Sequence, residues 1–367
     1  MTDKKQRKAP VLRFKGFTND WEQHKLGDCL TVNSGRDYKS LNRGNIPVYG
    51  TGGYMLSVDK TLSKKDAIGI GRKGTIDHPQ LLKAPFWTVD TLFWNVPKNS
   101  YDIYFLYSVF QKIEWKKYDE STGLPSLSKT TINNIKVNTT SYNEQNKIGQ
   151  IIKLIDHAKF LQQRKLKLLK VMKKALSQYM FCQEIEFVPI LRFNSFSDKW
   201  KYERLKNLIV KEIKGKAKAD MKGTKSTYID TALLNGGSIT KVDSPTDTFH
   251  NDIIILWDGS QAGKIYHGFT GALGSTLKSY KPKYSGGFLY QYLKSKEPII
   301  FLRYRTPNIP HVVKDFTEIF KINVPSVKEQ EKISKTLNYL DQSILVETKK
   351  IGSIKKIKKF LLQNMFI

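Results

Sequence analysis

The sequence predicts an α/β (α+β) protein: two tandem mixed α/β domains separated by two long helices that form an antiparallel coiled coil, the whole being a pseudo-twofold internal repeat. Three observations carry this. Two framing blocks recur along the chain, seven-residue apolar spacing runs through the second block of each pair, and short strand-like runs with Gly- and Pro-rich turns fill the space between.

The repeat comes first because it sets the organisation. Pro10 to Leu30 aligns with Pro189 to Ile209 at a shift of 179, matching Pro10, Leu12, Arg13, Phe14, Phe17, Trp21 and Leu26 to identical residues. Ser141 to Phe181 aligns without gaps with Ser326 to Phe366 at a shift of 185. It pairs Glu144-Gln145 with Glu329-Gln330, Lys147-Ile148 with Lys332-Ile333, Asp156 with Asp341, and the closing Met180-Phe181 with Met365-Phe366. Between these frames the copies agree loosely, at Pro125/Pro310 and Thr91-Leu92/Thr276-Leu277. Frames that stay alike must meet each other or a common partner, whereas the contents need only fill a similar volume and are free to face different ligands.

In the first helical frame Ile148, Ile155, Leu169 and Leu176 fall at multiples of seven, interleaved with Ile152, Leu166 and Met180. Ile333, Leu340, Ile354 and Leu361, with Leu337, Ile344, Ile351 and Met365, repeat the pattern, which is a coiled-coil seam. No proline interrupts either run, and Gly149 and Gly352 are its only glycines. Each run therefore makes a helix of about 38 residues, roughly 57 Å at 1.5 Å per residue. Polar breaks stand at equivalent places, Gln162/Glu347 and Lys173/Lys358. They read as register-fixing residues or, for the lysines, equally as snorkelling ones. Antiparallel pairing within one chain would put the two domains at opposite ends of a spacer.

The predicted segments are an N-terminal segment (1–21), a first domain (22–141), a first spacer helix (142–182), a linker repeating the N-terminal segment (183–200), a second domain (201–325) and a second spacer helix (326–367). Strand-like runs include Ala67 to Ile70, Phe86 to Phe93 and Asp252 to Trp257. Three loops combine glycine with aromatics or cations: Val48 to Tyr54, Gly71 to Thr75 and Trp257 to Lys264. Glycine permits close backbone approach and the side chains supply donors, a combination suited to DNA, although any one such loop also reads as an ordinary tight turn.

Lys and Arg number 62 against 33 Asp and Glu, a net charge of +29 spread along the chain, so the expected partner is a polyanion, namely nucleic acid. Cys29 and Cys182 are the only cysteines, too few for a disulfide framework and without zinc-site spacing, which fits a reducing cytoplasm. Met1 to Pro10 is polar and basic with no apolar stretch behind it, and no later stretch has the length to cross a bilayer, so neither secretion nor a membrane partner is expected. Phosphate-loop, HExxH, GxSxG and [DN]PP[YF] motifs are absent. Asp102 with Glu114-Trp115-Lys116 has a nuclease-like look, but Glu-x-Lys also occurs at Glu212 and Glu347, as expected in a chain this rich in lysine. No catalytic residue and no metal ligand is assigned.

The frames, with Glu-Gln opening a long basic helix and Met-Phe closing it, resemble the specificity subunit of type I restriction-modification enzymes. Supporting motifs are Ser121 to Ser128 ahead of the first helix, Asp252 to Ser260, and Gly271 to Leu277. The resemblance implies two target-recognition domains, each reading one half of a split, asymmetric site in double-stranded DNA. It further implies two methyltransferase (modification) subunits that modify adenine N6 and bind S-adenosylmethionine, and nuclease/translocase (restriction) subunits that use ATP and Mg, with no cofactor on this chain. The spacer of roughly 57 Å against about 34 Å per duplex turn places the half-sites between one and two turns apart. Candidate DNA contacts are Tyr54, Arg72, Lys73, Gln261, Lys264, Arg303 and Arg305, because Arg and Gln can pair in bidentate fashion with guanine and adenine while Lys mainly holds phosphate. Two alternatives are a free-standing DNA-binding regulator dimerising through the coiled coil and a nuclease using the Glu114 region.

Overall fold

A computed structural model describes residues 9–183 and 186–367. Residues 1–8 of the predicted N-terminal segment and 184–185 of the predicted linker lie outside the described residues. The chain divides into two units, Met1–Gln163 with Lys349–Ile367, and Arg164–Thr348.

The first unit contains, in chain order, β1 (Glu22–Lys25), α1 (Leu26–Cys29), β2 (Leu30–Ser34), β3 (Arg43–Gly50), β4 (Gly53–Val58), β5 (Ala67–Gly71), β6 (Gln80–Leu82), β7 (Trp87–Thr88), β8 (Leu92–Pro97), α2 (Ile103–Lys112), α3 (Lys129–Asn134) and β9 (Lys136–Thr139). The long helix α4 (Tyr142–Tyr179) starts there. The second unit contains β10 (Lys201–Arg204), β11 (Ile209–Lys214), β12 (Lys222–Ile229), α5 (Thr231–Leu234), β13 (Lys241–Val242), β14 (Ile253–Leu256), β15 (Ile265–His267), β16 (Ala272–Leu273), β17 (Leu277–Pro282), α6 (Gly286–Ser295), α7 (Glu297–Arg303), α8 (Phe316–Ile319) and β18 (Lys321–Val324). There the second long helix, α9 (Val327–Asn364), begins.

The two topologies correspond strand for strand. Four-stranded antiparallel sheets have the orders β2-β8-β5-β6 and β11-β17-β14-β15. Three-stranded sheets have the orders β4-β3-β7 and β13-β12-β16, with one parallel pair each, β3/β7 and β12/β16. Each domain is tied off by its first and last strands, β1 on β9 and β10 on β18. The inner strands β5 and β14 are buried at every position, and so read as unbroken apolar runs instead of alternating ones. The same blurring hides a break: the predicted strand Phe86 to Phe93 is two strands, β7 and β8, in different sheets, turned at Val89 where Leu92 N–H donates to Val89 O at 3.0 Å. Apolar residues on both sides of a turn leave no periodicity to mark it.

The repeated frame residues have matching jobs. Arg13 donates from Nε and Nη2 to the two Glu144 oxygens at 2.7 and 2.8 Å, and Arg192 does the same to Glu329 at 2.8 and 2.8 Å. The adjacent glutamines hold the chain as it enters each helix: Gln145 Nε2 donates to Thr140 O at 2.6 Å and Gln330 Nε2 to Pro325 O at 3.0 Å. The closing phenylalanines fill cores. Phe366 stacks on Phe105 at 5.3 Å beside Trp21, and Phe181 meets Phe288 at 5.8 Å and Tyr292 at 5.2 Å near Trp200.

Within each unit the long helices run antiparallel. In the second, Lys165 pairs with Glu347 at 2.8 Å and Lys173 pairs with Asp341, so the α9 number falls as the α4 number rises. In the first, Lys358 donates to both Asp156 oxygens at 2.7 and 2.8 Å. The lysine breaks in the seam therefore meet the repeated aspartates across it and set register; they are not snorkelling ends. Among the described residues no helix is long and apolar enough to cross a membrane.

Candidate nucleic-acid interface

In both domains the connection after the buried inner strand, β5 or β14, is held by the same set of backbone bonds. After β5, Arg72 N–H donates to Thr91 O (2.8 Å), Gly74 N–H to Pro125 O (2.8 Å), and Leu127 N–H to Arg72 O (2.9 Å). After β14, Trp257 N–H donates to Thr276 O (2.9 Å), Gly259 N–H to Pro310 O (2.9 Å), and Val312 N–H to Trp257 O (3.0 Å). Gly74 and Gly259 both take positive φ, +87° and +107°, which explains glycine at each. The isolated matches Pro125/Pro310 and Thr91/Thr276 are thus the clamps of these loops. The sequence displayed the matches but not the bonds.

The candidate side chains fall into three groups. Arg72 and Lys73 lie exposed on the β5–β6 loop, and Gln261 and Lys264 lie on the corresponding β14–β15 loop, where Lys264 Nζ donates to Gln261 Oε1 at 2.7 Å. Arg305 is brought to that second loop, its Nη2 donating to Ser260 O at 3.1 Å while its guanidinium lies 5.2 Å from the Phe301 ring centroid. Arg303 is separate, beside Tyr202, Lys296 and Phe320 in a shallow cavity of about 200 Å³. Tyr54 also stands apart, 63% exposed at the β3–β4 turn, facing Tyr49 edge-on at 6.4 Å. Its groove, about 670 Å³, is walled by residues 37–39, 50–55 and 89–91.

The two loops differ where a ligand would feel it. The Arg72 guanidinium lies 6.0 Å from the Phe93 ring centroid; at the equivalent positions, Trp257 takes the place of the cation and Lys278 that of the ring, with Nζ 3.4 Å from the Trp257 centroid. The cation–π pair is kept with its partners exchanged. In consequence the first loop exposes an arginine where the second has a tryptophan only 6% exposed. Further along the first loop, hydrogen bonds from Lys116 and His78 hold the Asp77 carboxyl down at about 2, and Lys116 pairs with it at 2.8 Å. The nuclease-like residues play other parts: Asp102 caps α2 by accepting from Phe105 N–H at 2.8 Å, and Glu114 pairs with Lys117 at 2.6 Å. Among the described residues no group of three or more His, Cys, Asp or Glu is placed to hold a metal. Both cysteines are buried, and burial pushes the Cys182 thiol up to about 12, which keeps it protonated.

Fold and loops define a class: a duplicated α/β protein whose like frames present unlike loop sets. The sequence profile described as "Type I restriction modification DNA specificity domain" matches twice, over residues 18–170 and 197–356, and the chain belongs to that family. A curated relative, the type I restriction enzyme MjaVIII specificity subunit of Methanocaldococcus jannaschii, is 34% identical over 178 residues, 46% of this chain and 42% of the relative, so the chain spans under half of that relative's length. Among solved structures, the S subunit of a type I restriction-modification system from M. genitalium superposes with a TM-score of 0.78 at 16% identity, covering 98% of this chain and 99% of that one. A structure described for the assembly and conformational transition of a type I system gives 0.50 at 13% identity, covering 94% and 97%. At these identities the likeness concerns fold.

Proposed function

We propose that this chain reads DNA sequence for a type I restriction-modification complex, each domain recognising one half of a bipartite, asymmetric site. The carrying observation is the contrast just described: identical backbone clamps hold loops whose side chains differ, which is what two unlike readers on one frame require. The β5–β6 loop, with Arg72 and Lys73, serves the first half-site, and the β14–β15 loop, with Gln261, Lys264 and Arg305, serves the second. Tyr54 and Arg303 contribute from outside these loops.

The partners in this reading are double-stranded DNA, two adenine-N6 methyltransferase subunits carrying S-adenosylmethionine, and restriction subunits using ATP and Mg; the present chain supplies no catalytic group and acts in the cytoplasm. A feature of α4 supports a protein partner. Leu154, Leu161 and Leu168, spaced by seven, are exposed on a second row outside the α4–α9 seam, as are Tyr339, Val346 and Phe360 on α9. The competing regulator would dimerise through its coiled coil, but here the seam residues find partners within one chain, which favours the subunit reading.

Methylome sequencing of a host carrying the complete system tests this. A gapped motif with unlike halves is expected, and a continuous or palindromic motif overturns the proposal.

A further inference from the structure

Most frame identities are accounted for by packing or pairing. A few are not. Lys170-x-x-Lys173-Lys174 in α4 recurs as Lys355-x-x-Lys358-Lys359 in α9. The middle lysine of each set is spent on the cross-seam aspartate. The flanking ones, Lys170, Lys174, Lys355 and Lys359, are exposed. Like charges one turn apart work slightly against the helix, and among the described residues no pairing within the fold accounts for the flanking lysines that both copies keep.

The second unit shows where one set points. Lys170, Lys173, Lys174 and Ser177 of α4 face Gln291, Lys294 and Ser295 of α6 across a groove of about 250 Å³. Lys294 Nζ donates to Ile265 O at 3.2 Å and pairs with Glu297 at 2.8 Å, while Glu297 Oε1 accepts from Ile265 N–H at 2.7 Å. Ile265 directly follows Lys264, so the groove adjoins the end of the β14–β15 loop. With Lys173 and Lys294 matched to carboxylates, Lys170 and Lys174 leave the groove with two positive charges one helical turn apart, beside serine hydroxyls.

We propose that this groove holds phosphates of the DNA backbone flanking the bases read by the β14–β15 loop, Lys170 and Lys174 being sequence-neutral anchors. The inference rests on the DNA-reading function above. Lysines kept in both copies while loop residues diverged fit a ligand part that is alike at both half-sites, and the backbone is the part of DNA that does not change with sequence. An acidic protein surface is the rival occupant.

The test uses the full chain and a fluorescently labelled mixed-sequence 40-base-pair duplex, with binding followed by anisotropy across a NaCl series. For Lys170→Ala/Lys174→Ala the slope of log K against log salt is expected to become shallower by about 2, from roughly 0.9 per phosphate contact. In the complete system the methylated motif is expected to stay unchanged. The matched exposed pair Lys328→Ala/Lys335→Ala, outside the groove, should keep the wild-type slope. An unchanged slope in the groove variant, or an equal change in the control, overturns the proposal while leaving the DNA-reading function standing. Loss of methyltransferase co-purification with an unchanged slope also overturns it, in favour of the acidic protein. If the wild-type chain shows no salt-dependent duplex binding, the DNA-reading function falls and this inference with it.

Discussion

Replacing Arg13 by methionine probes the frame most directly. The Glu144 side chain has no exposed surface, and its two oxygens accept from Arg13 at 2.7 and 2.8 Å. The Thr140 hydroxyl also donates to one of these carboxylate oxygens. Arg13→Met therefore strands a buried carboxylate, at a cost of about 3–5 kcal/mol. The double variant Arg13→Met/Glu144→Leu removes the desolvation penalty along with the attraction, and such replacements run from neutral to about 1–4 kcal/mol stabilising. Pulse proteolysis of the full chain in a urea series reads both, the single variant cleaving at much lower urea and the double recovering most of the loss. A single-variant loss under about 1 kcal/mol, or a double variant as weak as the single, would refute the claim that the buried Glu144 carboxylate depends on its Arg13 partner.

Gly149→Ala should destabilise by about 1–3 kcal/mol, because an added Cβ overlaps Asp102 Oδ1 at the start of α2. Gly352→Ala meets no heavy atom within 4 Å and should gain up to about 1 kcal/mol from helix propensity, both read as melting-temperature shifts. Burial, with His250 nearby, lowers the His267 imidazole from 6.5 to about 4. Between those values the unfolded chain takes a proton that the folded chain refuses, so stability falls as pH drops through this window, by at most about 3 kcal/mol; urea midpoints should show the slope and His267→Phe should flatten it. Arg72→Ala should cost about 1–3 kcal/mol in DNA affinity and relax one position of the methylated motif, whereas Lys73→Ala should weaken all sequences alike.

The sequence exposed the frames because their residues act in pairs that both copies keep. Seam positions, Glu-Gln starts and Met-Phe ends are repeated, and each repeat has the same contact in its own unit. The register of the helices was half visible: Lys173/Lys358 and Asp156/Asp341 were evident as repeats, but their pairing across the seam depends on three-dimensional alignment. The strand break at Val89 was invisible, since Trp87 and Leu92 are apolar on either side. The loop clamps were hidden for another reason: they run through backbone atoms of Thr91 and Pro125, which sequence matches mark without explaining.

The two copies also show how frames stay alike while contents change. At the α2–α4 contact the first copy keeps Gly149 on the long helix against Asp102; the second has Ser334 on the helix, and Gly287 of α6 makes the room. At the loop base the cation and the ring have traded places between Arg72/Phe93 and Trp257/Lys278. In the first case the glycine that makes room has moved to the other side of the contact, and in the second the cation–π pair is kept with its partners exchanged. Each domain, moreover, enters and leaves the frame on adjacent antiparallel strands, Glu22 opposite Thr139 and Lys201 opposite Val324. A domain whose ends are fixed side by side transmits little of its interior to the frame. Loop side chains can therefore differ between the copies with the helical register untouched, provided that the clamp carbonyls of residues 91 and 125, or 276 and 310, stay in place.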